Sequence, residues 1–324
     1  MAEDSTPTKA YRKHGDDERF LEELNDRLAG FEVESYADLE ETTPTVHVLG
    51  LPRSGTTLAN QLIAAHTTIA YVDHIAAAFP RAPVTGLRLS QKLRRGLEVG
   101  SSFQSDYGRT SALTEPHEFT YFFSDLFGLP TGVDGLAQPG RDHVVDWPRV
   151  RRILTNLCAA AGGPLVFKSF HVVWQLAALC EALPRTVIVC IDRDELEVAL
   201  SLLRMRETLY GTREAWASIK PRQWVALQRD CDWAGQIAGQ IVFTMRALQQ
   251  GLEAVAPAGL VRIGYREMCA DPAGFLDRVI AAVRAQGGDA ERVGEPPVLS
   301  VSGRPQPDSD NARRLRDALD ALRA

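Results

Sequence analysis

The 324-residue chain is 45% hydrophobic and 24% charged, the balance of a soluble globular protein with room for one large α/β domain or two small ones around a well-buried core. Its net charge of −6 argues against binding nucleic acid through bulk electrostatics and leaves only a local basic cleft open. No apolar run approaches the length of a membrane span, and Cys158, Cys180, Cys190, Cys231 and Cys269 are scattered singly without metal-ligand spacing, so the expectations are reduced thiols, no metal centre and a cytoplasmic protein. Arginine outnumbers lysine 31 to 5, a usage that points to a GC-rich, bacterial genome.

Residues 1–17 are polar and charged and are expected to be disordered. Phe20, Leu21, Leu24 and Leu28 recur at helical spacing, which predicts an amphipathic helix over 18–28, ended by Gly30. An apolar, β-branched run from Val46 then gives way to Gly50-Leu51-Pro52-Arg53-Ser54-Gly55-Thr56-Thr57 and to helical apolar spacing from Leu58 to Ala64. Thr68 to Val72 reads as a second, short strand that delivers Asp73 and His74 at its carboxyl end, where open α/β sheets bind ligands.

From Pro80 to Gly140 the composition turns to Gly, Pro, Ser and Arg. This stretch carries a basic helix around Gln91 to Leu97, with Lys92, Arg94 and Arg95, and an aromatic cluster at Phe119, Tyr121, Phe122, Phe123 and Phe127. It reads as a lid inserted over the sheet, its aromatics chiefly packing and its basic helix chiefly a solvated face. Helices are then predicted at 148–161, 172–183, 195–209, 222–255 and 272–285, and strands at 164–169, 186–192 and 260–265. Near-continuous apolar strands separated by helices mean a parallel sheet covered on both faces. The expected fold is therefore α/β, a P-loop-type parallel sheet of about five strands flanked by helices, forming a single domain over 18–324 with the lid at about 80–140.

The turn after the first strand has the chemistry of an anion site. The first N–H groups of a helix lack intrahelical partners and sit at the positive end of its dipole. Gly55 permits close approach of a ligand, and Ser54, Thr56 and Thr57 add hydroxyl donors. Gly50 to Thr57 keeps the Gly-x-x-x-x-Gly spacing of a Walker loop but has Thr56 in place of the lysine, and its cation is Arg53 instead. ATP or GTP hydrolysis, which uses that lysine on the β and γ phosphates, is thereby disfavoured. A second anion site is predicted at the end of the 186–192 strand, where Arg193 is followed eight residues later by Ser201, about two helical turns along. An arginine and a serine so placed can grip one phosphate from two sides.

Taken together, Pro52 to Thr57 and the Arg193–Ser201 pair resemble the sulfotransferase family, most clearly its bacterial and tyrosylprotein-type branch, over about residues 45–285. Phe167-Lys168-Ser169, Leu183-Pro184, Tyr265-Arg266-Glu267-Met268 and Asp271-Pro272 extend the likeness. Where relatives commonly carry Arg-Asp-Pro or Arg-Asp-Gly, this chain has Arg193-Asp194-Glu195. The resemblance implies a donor, 3'-phosphoadenosine 5'-phosphosulfate (PAPS; product PAP), no metal, and in-line transfer of a sulfuryl group to a hydroxyl of a small-molecule, lipid, sugar or natural-product acceptor. It assigns Arg53, Ser54, Gly55, Thr56 and Thr57 to the 5'-phosphosulfate and Arg193 and Ser201 to the 3'-phosphate. Lys168 is assigned to the bridging oxygen, and Arg304, in the late loop Ser302-Gly303-Arg304-Pro305, is carried as an additional cation over the nucleotide.

For the general base two positions compete. His74 falls 21 residues after Arg53, where tyrosylprotein-type relatives place a catalytic glutamate, and has Asp73 beside it. The Glu115-Pro116-His117-Glu118 cluster, about 60 residues after the loop, stands near the position of the histidine in cytosolic small-molecule members. His74 is preferred, with His117 and Glu115 as alternatives; His171 is read as structural. The readings from other classes are a P-loop small-molecule kinase and a non-catalytic nucleotide-binding protein on the same fold.

Overall fold

The computed structural model describes residues 15–95, 101–103, 110, 112–130, 136–301 and 309–323. Among them five strands, β1 (Thr45–Gly50), β2 (Ala70–Tyr71), β3 (Leu165–Lys168), β4 (Val187–Asp192) and β5 (Leu260–Gly264), form one sheet in the order β2-β3-β1-β4-β5 with every pairing parallel. The helices up to the third strand are α1 (Gly15–Ser35), α2 (Thr56–His66), α3 (His74–Ala77), α4 (Pro83–Arg94), α5 (Thr120–Leu126) and α6 (Trp147–Ala161). After it come α7 (His171–Ala182), α8 (Glu195–Tyr210), α9 (Trp224–Asp230), α10 (Trp233–Leu252), α11 (Tyr265–Ala270), α12 (Pro272–Ala285) and α13 (Asp310–Ala321).

The period-2 alternation of strand side chains divides the core in two. Val46 and Val48 of β1, Val166 of β3 and Val187, Val189 and Ile191 of β4 face Leu62 and Ile63 of α2 and Phe275, Leu276 and Val279 of α12. Their neighbours Leu49, Leu165, Phe167, Ile188 and Cys190 turn to the other face, against α5, α6 and α7. A third cluster lies between α8, α10 and α13, with Val198, Leu202, Ile237, Ile241, Leu315 and Leu319 fully or almost fully buried. Burial on both faces explains why the central strands read as continuous apolar runs.

Strand order reverses at β1, which has β3 on one side and β4 on the other. Such a switch point opens a crevice beyond the carboxyl ends of the strands. Register aligns those ends: Val48 lies opposite Lys168 and Gly50 opposite Ile191. The three central strands thus deliver Arg53, Lys168 and Arg193 to the same edge of the sheet.

Several element boundaries differ from expectation. The first helix begins at Gly15 and runs through Gly30 to Ser35, because its tertiary anchor lies beyond the glycine. The buried Glu32 carboxylate accepts hydrogen bonds from Val84 N (2.6 Å), Thr85 N (3.3 Å) and Thr85 Oγ1 (2.6 Å), capping α4 from a neighbouring helix. Disorder was expected over 1–17, but residues 15–17 open α1; residues 1–14 lie outside the described residues. The helix predicted over 222–255 is broken at Cys231 and Asp232, where Asp232 caps α10 by accepting from Ala234 N (3.1 Å) and Gly235 N (2.9 Å). The helix α13 has no counterpart in the expectation.

Within 80–140 the basic helix is the end of α4. Lys92 and Arg95 are exposed, but Arg94 lies 4.2 Å over the Tyr71 ring and 3.8 Å from the buried Asp73 carboxylate. The aromatic cluster is core: Phe119, Phe122, Phe123 and Phe127 are buried, and Phe123 meets the Phe167 ring of β3 edge-on at 5.5 Å. Phe123→Ala is expected to lower stability by about 3–5 kcal/mol in urea melts, the usual cost of emptying a buried phenylalanine site.

Candidate active site

A cavity of about 650 Å³ opens at the carboxyl edge of the central strands. Its floor is the turn after β1, contributing Pro52, Arg53, Gly55, Thr56, Thr57 and Leu58. Backbone geometry there depends on two glycines. A Cβ at Gly50 would come within 2.5 Å of Ser54 Oγ and 2.7 Å of the Ile191 carbonyl. Gly55, at φ 103°, caps α2, and a Cβ on it would reach 2.4 Å from the Tyr265 ring. Arg53 itself is held in the left-handed region at φ 69°. The turn therefore brings the N-terminus of α2 to the cavity, where the first N–H groups of the helix have no intrahelical partners.

The two predicted anion sites are one structure. Arg193 Nη1 donates to the Arg53 carbonyl (2.9 Å), and Arg53 Nε donates to Ser201 Oγ (3.1 Å), so β1, β4 and α8 are tied together through both motifs. The Arg193 guanidinium lies 4.4 Å over the Tyr265 ring and donates through Nε to Glu197 Oε2 (3.0 Å); Arg266 pairs with the other Glu197 oxygen. Burial pushes the Glu197 carboxyl upward, but hydrogen bonds and charge from Arg266 and Arg193 outweigh it and hold the group below the ordinary glutamate value. The sequence difference at Asp194-Glu195 leaves the start of α8 intact, because Asp194 Oδ1 accepts from Glu197 N (2.9 Å) and caps the helix.

Opposite the turn, Lys168 at the end of β3 is 4% exposed, pairs with Glu118 and has its Nζ 4.9 Å from the Phe170 ring centre. Both members of this pair line the cavity. The remaining lining comes from Gln61, Phe103, Phe170, Met205, Ser218 and Tyr265, and from Val298, Leu299 and Ser300 near the chain's C-terminal end.

Of the residues singled out in the sequence, Arg53, Gly55, Thr56, Thr57, Lys168 and Arg193 line this cavity, and Ser201 touches it through Arg53. Ser54 does not: its hydroxyl is buried under the turn against Gly50 and has no hydrogen-bond partner among the described residues. Arg304 lies outside the described residues.

His74 and its alternatives are not brought into the lining. His74 Nε2 is 2.8 Å from Thr110 Oγ1, and its ring meets His117 edge-on at 4.7 Å. Desolvation holds the His74 pKa below the ordinary histidine value despite Asp73 and Glu115 nearby. Asp73 is spent on capping α3 and accepting from Ser90 Oγ (2.5 Å). His117 Nδ1 accepts from Phe119 N (2.9 Å). Glu115, 1% exposed, accepts from Ser102 N (2.8 Å) and Ser102 Oγ (2.7 Å), which anchors the segment carrying Phe103 into the cavity wall. Glu118 is the member of that cluster that faces the cavity. Sequence spacing passed over Phe103, Met205, Ser218 and the 298–300 segment, which carry no motif; the left-handed turn that presents Ser218 has no glycine to announce it.

The chain matches the model of the sulfotransferase family over residues 44–286 and belongs to that family, a class of enzymes that transfer sulfuryl groups. Among solved structures it is similar to sulfotransferase STF1 from Mycobacterium tuberculosis H37Rv (TM-score 0.51, 17% identity, covering 94% of this chain and 76% of that one). It is also similar to sulfotransferase STF9 from Mycobacterium avium (TM-score 0.50, 16% identity, 95% and 78% covered). Both likenesses concern the fold. No curated protein matches the sequence. Among the described residues no helix is long and apolar enough to cross a membrane, and no group of three or more His, Cys, Asp or Glu could hold a metal ion.

Two outcomes test the turn. Gly55→Ala forces an alanine to φ 103° against the Tyr265 ring, and a loss of at least about 1–3 kcal/mol is expected in chemical denaturation. Because the Glu197 pKa is depressed on folding, its pairing contributes stability above the ordinary value of 4.5 and loses it as pH falls through the lowered one. The stability gap between wild type and Glu197→Gln should therefore be widest at neutral pH and close on the acid side, as read by urea melts across pH.

Proposed function

We propose that the protein is a PAPS-dependent sulfotransferase acting on a hydroxyl of a small acceptor. The observation that carries this reading is the Lys168–Glu118 pair lining the same cavity as the anion turn and Arg193. The fit to the donor rests on the residues themselves: a turn shaped by close glycine contacts, an α2 N-terminus without a side-chain cap, and arginines from two adjacent strand ends. When bound, PAPS supplies the sulfuryl group, whose bond to the 5'-phosphate oxygen breaks as the acceptor oxygen bonds to sulfur.

The protein's part is positioning and charge. The α2 N–H groups, Thr56, Thr57 and Arg53 hold the 5' end, and Arg193 with Ser201 holds the 3'-phosphate. Lys168, buried and cationic, stabilises negative charge developing on the bridging oxygen. Glu118, rather than His74, accepts the acceptor's proton, since it is the carboxylate in the cavity lining. Its ion pair with Lys168 holds it in the cavity lining beside the donor end. His74, with His117 and Thr110, supports the wall behind it.

Calorimetry without magnesium should show PAP binding, weakened about tenfold or more by Arg53→Ala and by Arg193→Ala, the scale of a lost charge-assisted hydrogen bond. ATP–magnesium binding without PAP binding would remove the reading. With PAPS and 2-naphthol as acceptor, Glu118→Gln is expected to lower kcat by about 10²- to 10⁴-fold, while His74→Ala stays within about threefold of wild type. The reverse pattern would return the base to His74.

A further inference from the structure

We propose that His117 is a positioning residue, whose ring nitrogen locks the backbone on either side of Glu118 and so holds that carboxylate against Lys168. The inference rests on the reading of Glu118 as the base and names what aims it.

Glu118 hangs between two fixed points. Ahead of it the chain is pinned beside the end of β2. Pro116 bridges antiparallel to Asp73, the Pro116 carbonyl accepts from Thr110 Oγ1 (2.9 Å), and His117 N donates to the Val72 carbonyl (2.8 Å). Behind it Phe119, the N-cap residue of α5, is 2% exposed and stacks on the Phe122 ring at 4.4 Å. Between these points the chain turns sharply, with Phe119 in the left-handed region at φ 53°. A bulky residue there is strained, and such strain persists only where the surroundings enforce it.

The enforcing contact is local. Phe119 N donates to His117 Nδ1 (2.9 Å), a bond that spans Glu118 and no other residue. Asn and Asp close the same ring in Asx turns, from the oxygen on Cγ to the N–H two residues on, and Nδ1 is likewise bonded to Cγ. His74 meets the His117 ring edge-on at 4.7 Å and steadies it. Because Nδ1 is occupied and His117 lies outside the cavity lining, its imidazole serves geometry rather than proton transfer. The Glu118 side chain is 30% exposed, so water competes with Lys168 for the carboxylate and the ion pair alone does not fix it. The His117 lock removes the backbone freedom that would let Glu118 turn to solvent.

Acetic anhydride labelling of the full-length protein reads the pair without donor or acceptor, because an amine held as its ammonium by a carboxylate acylates slowly. The chain has five lysines, of which exposed Lys92 is the internal reference. Glu118→Gln and His117→Ala should each raise Lys168 labelling relative to Lys92 by about fivefold or more. His117→Asn keeps an acceptor on Cγ but carries no base, and should stay within about twofold of wild type; His117→Gln, whose amide lies one bond further out, should behave as His117→Ala. With PAPS and 2-naphthol, His117→Ala should lower kcat by about 10- to 10²-fold, the scale of a misplaced reacting group, with the PAPS KM unchanged. His117→Asn should keep kcat within about threefold, and His117→Ala added to Glu118→Gln should cost less than about twofold more. Unchanged Lys168 labelling in both His117→Ala and His117→Gln, labelling raised equally in His117→Asn, a kcat loss in His117→Asn matching that in His117→Ala, or a further loss of about tenfold in the double variant would each overturn the assignment of His117. If labelling follows the expected pattern while Glu118→Gln keeps wild-type kcat, His117 still positions Glu118 and the base reading is what falls.

Discussion

The structure depends on the tie between the turn after β1 and the end of β4. Arg193 donates to the Arg53 carbonyl, Arg53 donates to Ser201, and Tyr265 lies under both Arg193 and Gly55. Each contact constrains the same few residues, so the α2 N-terminus is aimed by β4, α8 and α11 together. Backbone N–H groups at a helix start contribute to anion binding only where they are preorganised around the charge. Glycine at 50 and 55 is the cost of that closeness: no other residue lets strand, turn and ring approach to the distances found.

The second constraint is the pairing of a buried lysine with a carboxylate. Lys168 is almost wholly removed from water, and burial of an ammonium is tolerated only with a partner. Glu118 supplies it and so lies in the lining together with the cations. Its neighbours in sequence serve the framework instead. Glu115 anchors the Phe103 segment, and His117 accepts a backbone N–H. One short acidic and imidazole-bearing stretch thus divides between framework and cavity lining according to which way each side chain leaves the backbone.

Much of this was legible in the chain itself. The five strands, their parallel pairing and the glycine-shaped turn after β1 follow from apolar runs, helical spacing and Gly/Ser/Thr placement, all of which act between near neighbours. The extra length of α1 was hidden because Glu32, not local propensity, carries the helix past Gly30. The break at Cys231–Asp232 was legible in principle, as Asp232 is a ready helix cap ahead of Trp233. His74 was singled out by counting from Arg53, and it stands just past β2 as the first residue of α3; what it touches there, Thr110 and His117, belongs to a segment some 36 to 43 residues away.

The sequence by itself determined the class of chemistry: an arginine-bearing anion turn, a second arginine with a serine two turns on, and a lysine at a strand end, each defined by a local pattern. Tertiary structure alone decided which carboxylate meets that lysine, that the two anion motifs join through Arg53 and Ser201, and that Ser218 stands at the cavity wall. These are meetings of segments distant in the chain, set by strand order and by buried polar contacts such as those of Glu115, and no spacing along a single chain encodes which of several candidate side chains will face inward.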